Sequence, residues 1–536
     1  MVWQNYFNYT RSLDAHNFYL TGGYEVTKGK TKWLSAQGTN IADIFYLQKN
    51  VISGSASTPS IGGNYSESGV ESFFGRFNYD YRNRYFAQVS FRRDGQSSLA
   101  PGMKYGNFPG YSVGWRPSEE GFWKNNDFLS NNFRDVKLKA SYATVGNPLS
   151  GLPYLSTFGT APYGNINGIA VNAIGNTELQ WETSKKYDVG LEIGLLNGRI
   201  SLTTDWFLND INNLVLNVPT PLSAGIPGNS IPQNIGTMEN RGLEISVDAS
   251  VIERKDFRWN LNVNFSSIHN KMKSLYSIAG TPTQFINNGS YNIIRVGDPV
   301  NILYGYRFAG VNTANGYPMY YKADGSLVLH NIPNGGYYFI KDASDAGTIT
   351  SANQTSLTFA DRTNLGEALP TWYGGINNSL SYKGFGLDFL FRYSGGNKIM
   401  NITRQETLMD QSFVNNSTEI LQRWQKAGDV TNVPKVIYGQ SNNINQVGLA
   451  TSRFVESGQY VRLQNLAFTY TISPPTLKKI ANDRIKSIRL YVQGQNLHVW
   501  TDYSGADPDN HTSAGLENAG LPPQIRTISF GLNVGF

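Results

Sequence analysis

Apolar and polar residues alternate with a period of two along many short stretches of this 536-residue chain. That is the spacing of a β-strand, whose successive side chains face opposite sides. Tyr187, Val189, Leu191, Ile193 and Leu195 form one apolar row, with Asp188, Glu192 and glycines between them. Asn197-Gly198 follows, a dipeptide that suits a type I′ turn because both central residues need positive φ. The return row is Ile200, Leu202, Thr204 and Trp206, set against Ser201, Thr203 and Asp205. A second pair places Leu243, Ile245, Val247 and Val251 before a turn at Arg254 to Asp256, and Phe257, Trp259, Leu261, Val263 and Phe265 after it. The other face of that return strand is Arg258, Asn260, Asn262 and Asn264, which a dry core does not accept unpaired. Further hairpins are predicted at 70–93, turning at Arg82-Asn83, and at 371–394, turning at Lys383-Gly384. Weaker strands fall at 16–27 and 30–39, on either side of a turn at Lys28-Gly29, and at 108–116, 136–146, 460–472 and 486–499. The chain ends on Ile528, Phe530, Leu532, Val534 and Phe536, which alternate with Ser529, Gly531, Asn533 and Gly535.

This pattern predicts about fifteen strands, many of the roughly 9–11 residues that a tilted transmembrane strand requires. With Phe536 at a periplasmic rim, the turns at Lys28, Arg82, Asn197, Arg254 and Lys383 share its side, together with two longer connections at 117–135 and 473–485. The long segments 40–69, 147–184, 210–239, 269–370, 395–459 and 500–524 fall on the opposite side. Short turns inside and long loops outside are the rule of outer-membrane barrels. The predicted fold class is therefore all-β: a transmembrane antiparallel β-barrel with long extracellular loops. An odd strand count puts residue 1 on the extracellular side, so the chain is expected to cover only part of the barrel. The lipid-facing row Ile528, Phe530, Leu532, Val534 and Phe536 resembles the signal by which the barrel-assembly machinery selects its clients. Two alternatives fit the same alternation: a complete passive porin of fourteen to sixteen strands, and a soluble all-β glycan-binding protein.

Composition narrows the chemistry. Mean hydropathy is −0.35 and no run of about 18 apolar residues exists, which leaves no transmembrane helix in the sequence. Aromatics reach 13%, as strands and interfacial belts require. The net charge of +6 comes from basic residues scattered singly, so no nucleic-acid surface is expected. There is no cysteine, which excludes disulfides and thiolate chemistry. The start MVWQNYFNYT has no basic segment followed by an apolar one, so no secretory signal is read there. His16, His269, His330, His498 and His511 are far apart, and no HExxH, GxSxG or Walker A motif occurs. No catalytic residue, metal ligand or cofactor is assigned, and the chain is read as a non-enzyme. Asp507, Asp509 and His511 stand at alternate positions and suit either a cation or a solvated loop turning at Pro508. Ligand binding would use aromatic faces beside polar groups, and the extracellular candidates are Tyr154, Tyr163, Trp181, Tyr291, Tyr317 and Trp424. The competing role for each is packing the loops or forming an aromatic girdle.

Several strings in order resemble the TonB-dependent transporters of the SusC/RagA family of Bacteroidetes. They include GNTELQWETSKKYDVGLEIGLLNGRISLTTDWF at 175–207, ENRGLEI at 239–245, VGDPVNILYGYRFAG at 296–310 and SYKGFGLDFLFRYSGGNKIMN at 381–401. RWQKAGD at 423–429, SGQYVRLQNLAFTYTIS at 457–473 and RLYVQGQNLHVWTDYSGADPD at 489–509 continue the series. The resemblance implies a barrel of about 22 strands with a plugged lumen, of which about fifteen are present in the C-terminal portion, with the plug domain absent. It implies energised uptake of oligosaccharides or peptides, with substrate held between barrel loops and a SusD-like surface lipoprotein lid, and with TonB–ExbB–ExbD acting through the plug. The outer membrane is the implied location, and this portion alone is not expected to transport. Relatives often carry an Asp-rich, EF-hand-like string where this chain reads YYKADGSLVLH from Tyr320, too poor in carboxylates for calcium.

Overall fold

The computed structural model describes every residue except 42, 45–48, 50–51, 165, 279–280, 283, 348, 410–414 and 482–483. Parts of the connections predicted at 40–69, 269–370, 395–459 and 473–485 therefore lie outside the described residues. Fifteen strands form one sheet in which each is hydrogen-bonded to its neighbours in chain order. They are β1 (Val2–Leu13), β2 (His16–Gln37), β3 (Ser60–Tyr81), β4 (Tyr85–Gln96), β5 (Tyr105–Trp115), β6 (Phe133–Asn147), β7 (Glu182–Leu195), β8 (Ile200–Pro219), β9 (Ser230–Glu253), β10 (Phe257–Ser274), β11 (Trp372–Tyr382), β12 (Phe385–Gly395), β13 (Tyr460–Thr471), β14 (Ser487–Thr501) and β15 (Thr527–Gly535).

The predicted number of strands stands, but through two errors of opposite sign at the N-terminus. There is no turn at Lys28-Gly29: β2 is unbroken, and its 22 residues pair with β3 along their whole length, Lys28 opposite Gly69 and Gly29 opposite Ser68. A continuous ladder overrides the local preference of a Lys-Gly pair for a turn. The missing strand is β1, which meets β2 across a two-residue turn at Asp14-Ala15, with Asp14 at φ 50°. Several strands also run past their predicted ends, so that 210–239 shrinks to a connection at 220–229. The connection 116–132 carries two short helices, Gly121–Lys124 and Asp127–Asn132, and 472–486 carries a third, Pro474–Ala481.

The chain packs as two compact units. One comprises Met1–Trp115, Lys139–Tyr187 and Asp210–Gly236. In it the alternation of β1 to β5 separates a polar face from an apolar one. Arg92 donates to Asp94 at 2.7 Å and to the Ser72 hydroxyl at 2.7 Å on the polar face, where Asn17 also donates to Asp80 at 2.8 Å. Phe73, Phe77, Val89, Phe91, Tyr111 and Val113 stand exposed on the other face. A buried cluster of Leu99, Phe108, Leu179 and Trp181 lies under the loops.

The second unit comprises Arg116–Leu138, Asp188–Asn209 and Thr237–Phe536. Its tight turns follow local chemistry. Lys383 and Gly384 take φ 46° and 97° between the paired residues Tyr382 and Phe385. At the Asn197 turn the left-handed run begins one residue early, at Leu196, and the Gly198 N–H closes onto the Leu195 carbonyl at 3.0 Å. Across β12 to β15 the strand register aligns Leu387, Phe468, Val492 and Phe530 in one row and Phe385, Tyr470, Leu490 and Leu532 in the next. Phe530 is 76% exposed, as a side chain meant for lipid is in the isolated chain. On the other face, Gly531 lets the Tyr491 ring lie over the backbone: an added Cβ would sit 2.1 Å from its Cζ. The dry core of this unit is in its loops. A four-stranded sheet between Phe285 and Gly366 contributes Leu303 to a cluster with Met400, Met409, Val433 and Phe454, and a five-stranded sheet between Arg307 and Thr355 contributes to clusters at Tyr306, Tyr320 and Val328 and at Met319, Leu329 and Ile340.

Candidate functional site

The inner, polar face of the second unit carries a row that runs across four strands: Asn264 on β10, Gly375 on β11, Arg392 on β12 and Arg462 on β13. The adjacent row holds Tyr373, Ser394 and Tyr460. Strand parity alone puts these groups on one side of the sheet. Gly375 leaves a bare patch among longer side chains, and the patch is the floor of a cavity of ≈540 Å³. Asn264, Tyr373, Arg392, Tyr460, Asp509 and His511 line it.

The loop after β14 closes one side of this cavity through ion pairs. Arg462, 3% exposed, donates to Asp507 at 2.5 Å and to Asp509 at 3.3 Å. Asp509 also accepts the Tyr460 hydroxyl at 2.7 Å, the Gln524 amide at 3.1 Å and Arg392 at 3.5 Å. Both guanidinium groups lie over the Tyr460 ring, at 5.4 Å for Arg462 and 5.9 Å for Arg392. Burial opposes ionisation of Asp507, but hydrogen bonds from Arg462 and from the backbone N–H groups of Asp509 and Gln524 outweigh it. Together they hold its carboxyl below the usual aspartate range. Asp507 and Asp509 thus both carry arginine partners. The outcome is a recess with one half-exposed guanidinium, Arg392, and two tyrosine rings. Such a lining sets aromatic faces beside a guanidinium and polar groups.

The six aromatics named from sequence are placed as follows. Trp181 is buried against Phe108 and donates Nε1–H to the Lys104 carbonyl at 2.9 Å. Trp424 is buried, donates to the Thr313 carbonyl at 3.0 Å, and packs on Gly316 beside Tyr317, itself packed on the Met319 cluster. Tyr291 donates to Glu406 at 3.0 Å and rests on the Leu303 cluster; burial first, then that bond, push its phenol well above the usual range. Tyr154 is half-buried, and Tyr163 is 88% exposed. The structure brings Tyr317 and Trp424 together and leaves the others apart. Sequence reasoning missed Arg392, Tyr460 and Arg462, although strand alternation already put Arg462 and Tyr460 on the polar face of 460–472. His330, one of the five scattered histidines, is buried and stacked on Tyr337 at 4.3 Å. In the loop at Tyr321 to Asp324, the Lys322 ammonium pairs with Asp361 at 3.0 Å, and Asp324 turns back onto Ser326.

Residues 2–301, more than half of the chain, match the family profile described as TonB dependent receptor-like, beta-barrel. The chain belongs to that family. It is 32% identical over 553 residues to TonB-dependent receptor P3 of Formosa agariphila, covering 99% of this chain and 52% of that protein. To TonB-dependent receptor SusC of Bacteroides thetaiotaomicron it is 26% identical over 490 residues, 87% of this chain and 43% of the relative. A structure described as the RagAB peptide transporter superposes with a TM-score of 0.79 at 22% identity, over all of this chain and 55% of that one. The TonB-dependent receptor-like chain thus spans about half the length of the curated relatives it matches. The SusC/RagA resemblance, the β-barrel fold class and the outer-membrane location follow from these matches.

Proposed function

We propose that this chain supplies the ligand-recognising wall of an energised outer-membrane importer for oligosaccharides or peptides. The reading rests on membership of the TonB-dependent receptor-like family together with the recess over Gly375, where tyrosine rings, an amide and a half-exposed arginine converge. Sugar rings and peptide side chains both stack on tyrosine and accept from guanidinium and amide N–H groups. A SusD-like lipoprotein covers the long-loop end, TonB–ExbB–ExbD supply the energy, and the barrel-assembly machinery inserts the chain through its Phe536 strand. Tyr163 and Tyr154 keep ring surface open for a ligand, while Trp181, Tyr291, Tyr317 and Trp424 shape the loops that present it. The name of one structural neighbour, a peptide transporter, favours peptides as the first substrates to try.

The test fills the recess. An added Cβ at Gly375 meets its nearest neighbours at 3.4–3.6 Å, so a side chain fits there without a backbone clash. Cells carrying the full-length receptor with Gly375→Leu should show normal surface level and at least tenfold slower uptake of labelled peptides or oligosaccharides. Unchanged uptake of every substrate imported by the wild type would remove the recess from the pathway. Steady, TonB-independent conductance of the purified receptor in bilayers would favour the passive porin.

A further inference from the structure

The registers of β1 to β5 resolve the outer face of the first unit into levels. Leu13, His16, Tyr81, Tyr85 and Trp115 form the lowest row, beside the short turns. Above it come Arg11, Phe18, Tyr79, Ala87 and Val113, then Tyr9, Leu20, Phe77, Val89 and Tyr111, then Phe7, Gly22, Gly75, Phe91 and Pro109. Asn5, Tyr24, Phe73, Arg93 and Asn107 follow, and the last level shared by all five strands is Trp3, Val26, Glu71, Gly95 and Tyr105. From Tyr85 to Gly95 the strand rises roughly 33 Å along its own axis at about 3.3 Å per residue. A tilt of about 40° reduces this to roughly 25 Å, the height of a barrel's apolar band. Aromatic rings mark both rims, as at a membrane–water interface.

One level above the upper rim the character of this face changes. Lys28, Lys30 and Lys32 succeed one another on the same side of β2. Lys30 pairs with Glu67 at 2.9 Å and Lys28 attracts the same carboxylate only through space, whereas neither Lys28 nor Lys32 forms an ion pair among the described residues. Lys104, on the loop before β5, has none either, and Arg93 lies over the Tyr105 ring at 4.9 Å. Glu71 is the acidic residue at this height, and its two oxygens are taken by the hydroxyls of Tyr24 at 2.5 Å and Tyr105 at 2.6 Å. Between these groups lies a depression of ≈450 Å³, lined by Tyr24, Lys28, Gly69, Gln96, Lys104 and Tyr105. Gly69 leaves part of its floor without a side chain, while the Tyr105 ring lies over Gly95.

We propose that Lys28 and Lys104 bind a phosphate group of an outer-leaflet lipid headgroup in this depression. Three observations converge on that occupant. The depression sits just beyond the outer aromatic rim, at headgroup height. It faces lipid rather than the polar interior. Its unpaired charges are cationic, and its one carboxylate is already engaged. A phosphate at an interface is attracted by each nearby lysine and accepts several N–H donors at once.

Native mass spectrometry of the full-length receptor in detergent tests this. Diphosphorylated lipid A is the probe, with dephosphorylated lipid A and inorganic phosphate as competitors. The wild type should retain one phosphorylated lipid. Lys28→Gln with Lys104→Gln should lower its occupancy at least tenfold, whereas Lys255→Gln, in a short turn, should not. Heat-modifiable migration on SDS gels confirms that each variant is folded. Equal retention by the double variant, or equal competition by the dephosphorylated lipid, overturns the proposal. Displacement by equimolar inorganic phosphate overturns it in favour of a free-anion site.

Discussion

Replacing Asp507 by Asn should loosen the loop 502–526 without unfolding the sheet. Asp507 and Arg462 are both almost fully buried and meet at 2.5 Å. Two opposite charges 4 Å apart attract by about 4 kcal/mol at an effective dielectric constant of 20. Removing one member of a buried pair typically costs about 3–5 kcal/mol, because the other charge is left without its partner. Asp509 still lies 3.3 Å from the same guanidinium, so the lower end applies, about 3 kcal/mol. That corresponds to roughly a hundredfold more frequent opening of the loop. Hydrogen exchange in detergent reads it directly from the amides of Asp509 and Gln524, which donate to Asp507. Asp502→Asn, an exposed change in the same loop, is the control. Wild-type protection in Asp507→Asn, or an equal loss in the control, would refute the assignment. The same pair sets an acid limit. The folded-state value of Asp507 is lowered, so its stabilisation is complete above the ordinary aspartate value of about 3.9 and disappears as pH falls through the lower folded value.

Three further outcomes are expected. Burial lowers His330 to about 4, so the unfolded loop takes up a proton near pH 6.5 that the folded one refuses; stability of the 307–355 sheet should fall by about 3 kcal/mol between pH 6.5 and 4, and exchange protection that stays flat over that window would contradict it. His330→Phe should retain the stack on Tyr337 and abolish this pH dependence. Gly531→Val should displace the Tyr491 ring and reduce the heat-modifiable folded fraction severalfold, whereas Ser529→Val on the same face should reduce it less. Phe536→Ala should lower the amount assembled in the outer membrane while leaving urea stability of the assembled fraction unchanged, and normal assembly would separate this residue from the export signal.

Legibility from sequence followed the range of the interactions. The turns at Arg82-Asn83 and Lys383-Gly384 each include a residue that tolerates positive φ, Asn83 or Gly384, and both formed where expected. The row Ile528 to Phe536 was readable because alternation is itself local. β1 escaped notice because its row mixes Trp3, Asn5, Phe7, Tyr9 and Arg11, and only pairing with β2 reveals which face is which. The recess was harder still. Asp507 meets an arginine 45 residues earlier in the chain, and His330 finds Gln446 at 3.0 Å across 116 residues. No local pattern announces such partners, and a loop rich in Asp, Pro and Asn reads as solvated when its neighbours are unknown. Arg462 on the polar face of a strand was the available clue: an inward arginine needs an acidic partner, and Asp507 and Asp509 stood in the next long loop.

The ladder between β2 and β3 has a mechanical consequence. Its 22 paired residues extend roughly 73 Å along the strands at about 3.3 Å each, of which a bilayer engages less than half. The remainder is a two-stranded ribbon clamped at its base by β1, β4 and β5 and unsupported by those strands above the level of Lys28. A beam held at one end transmits force as torque. Any load applied near Trp33 or Tyr65 is therefore delivered, amplified by the length of the arm, to the strands at the membrane surface.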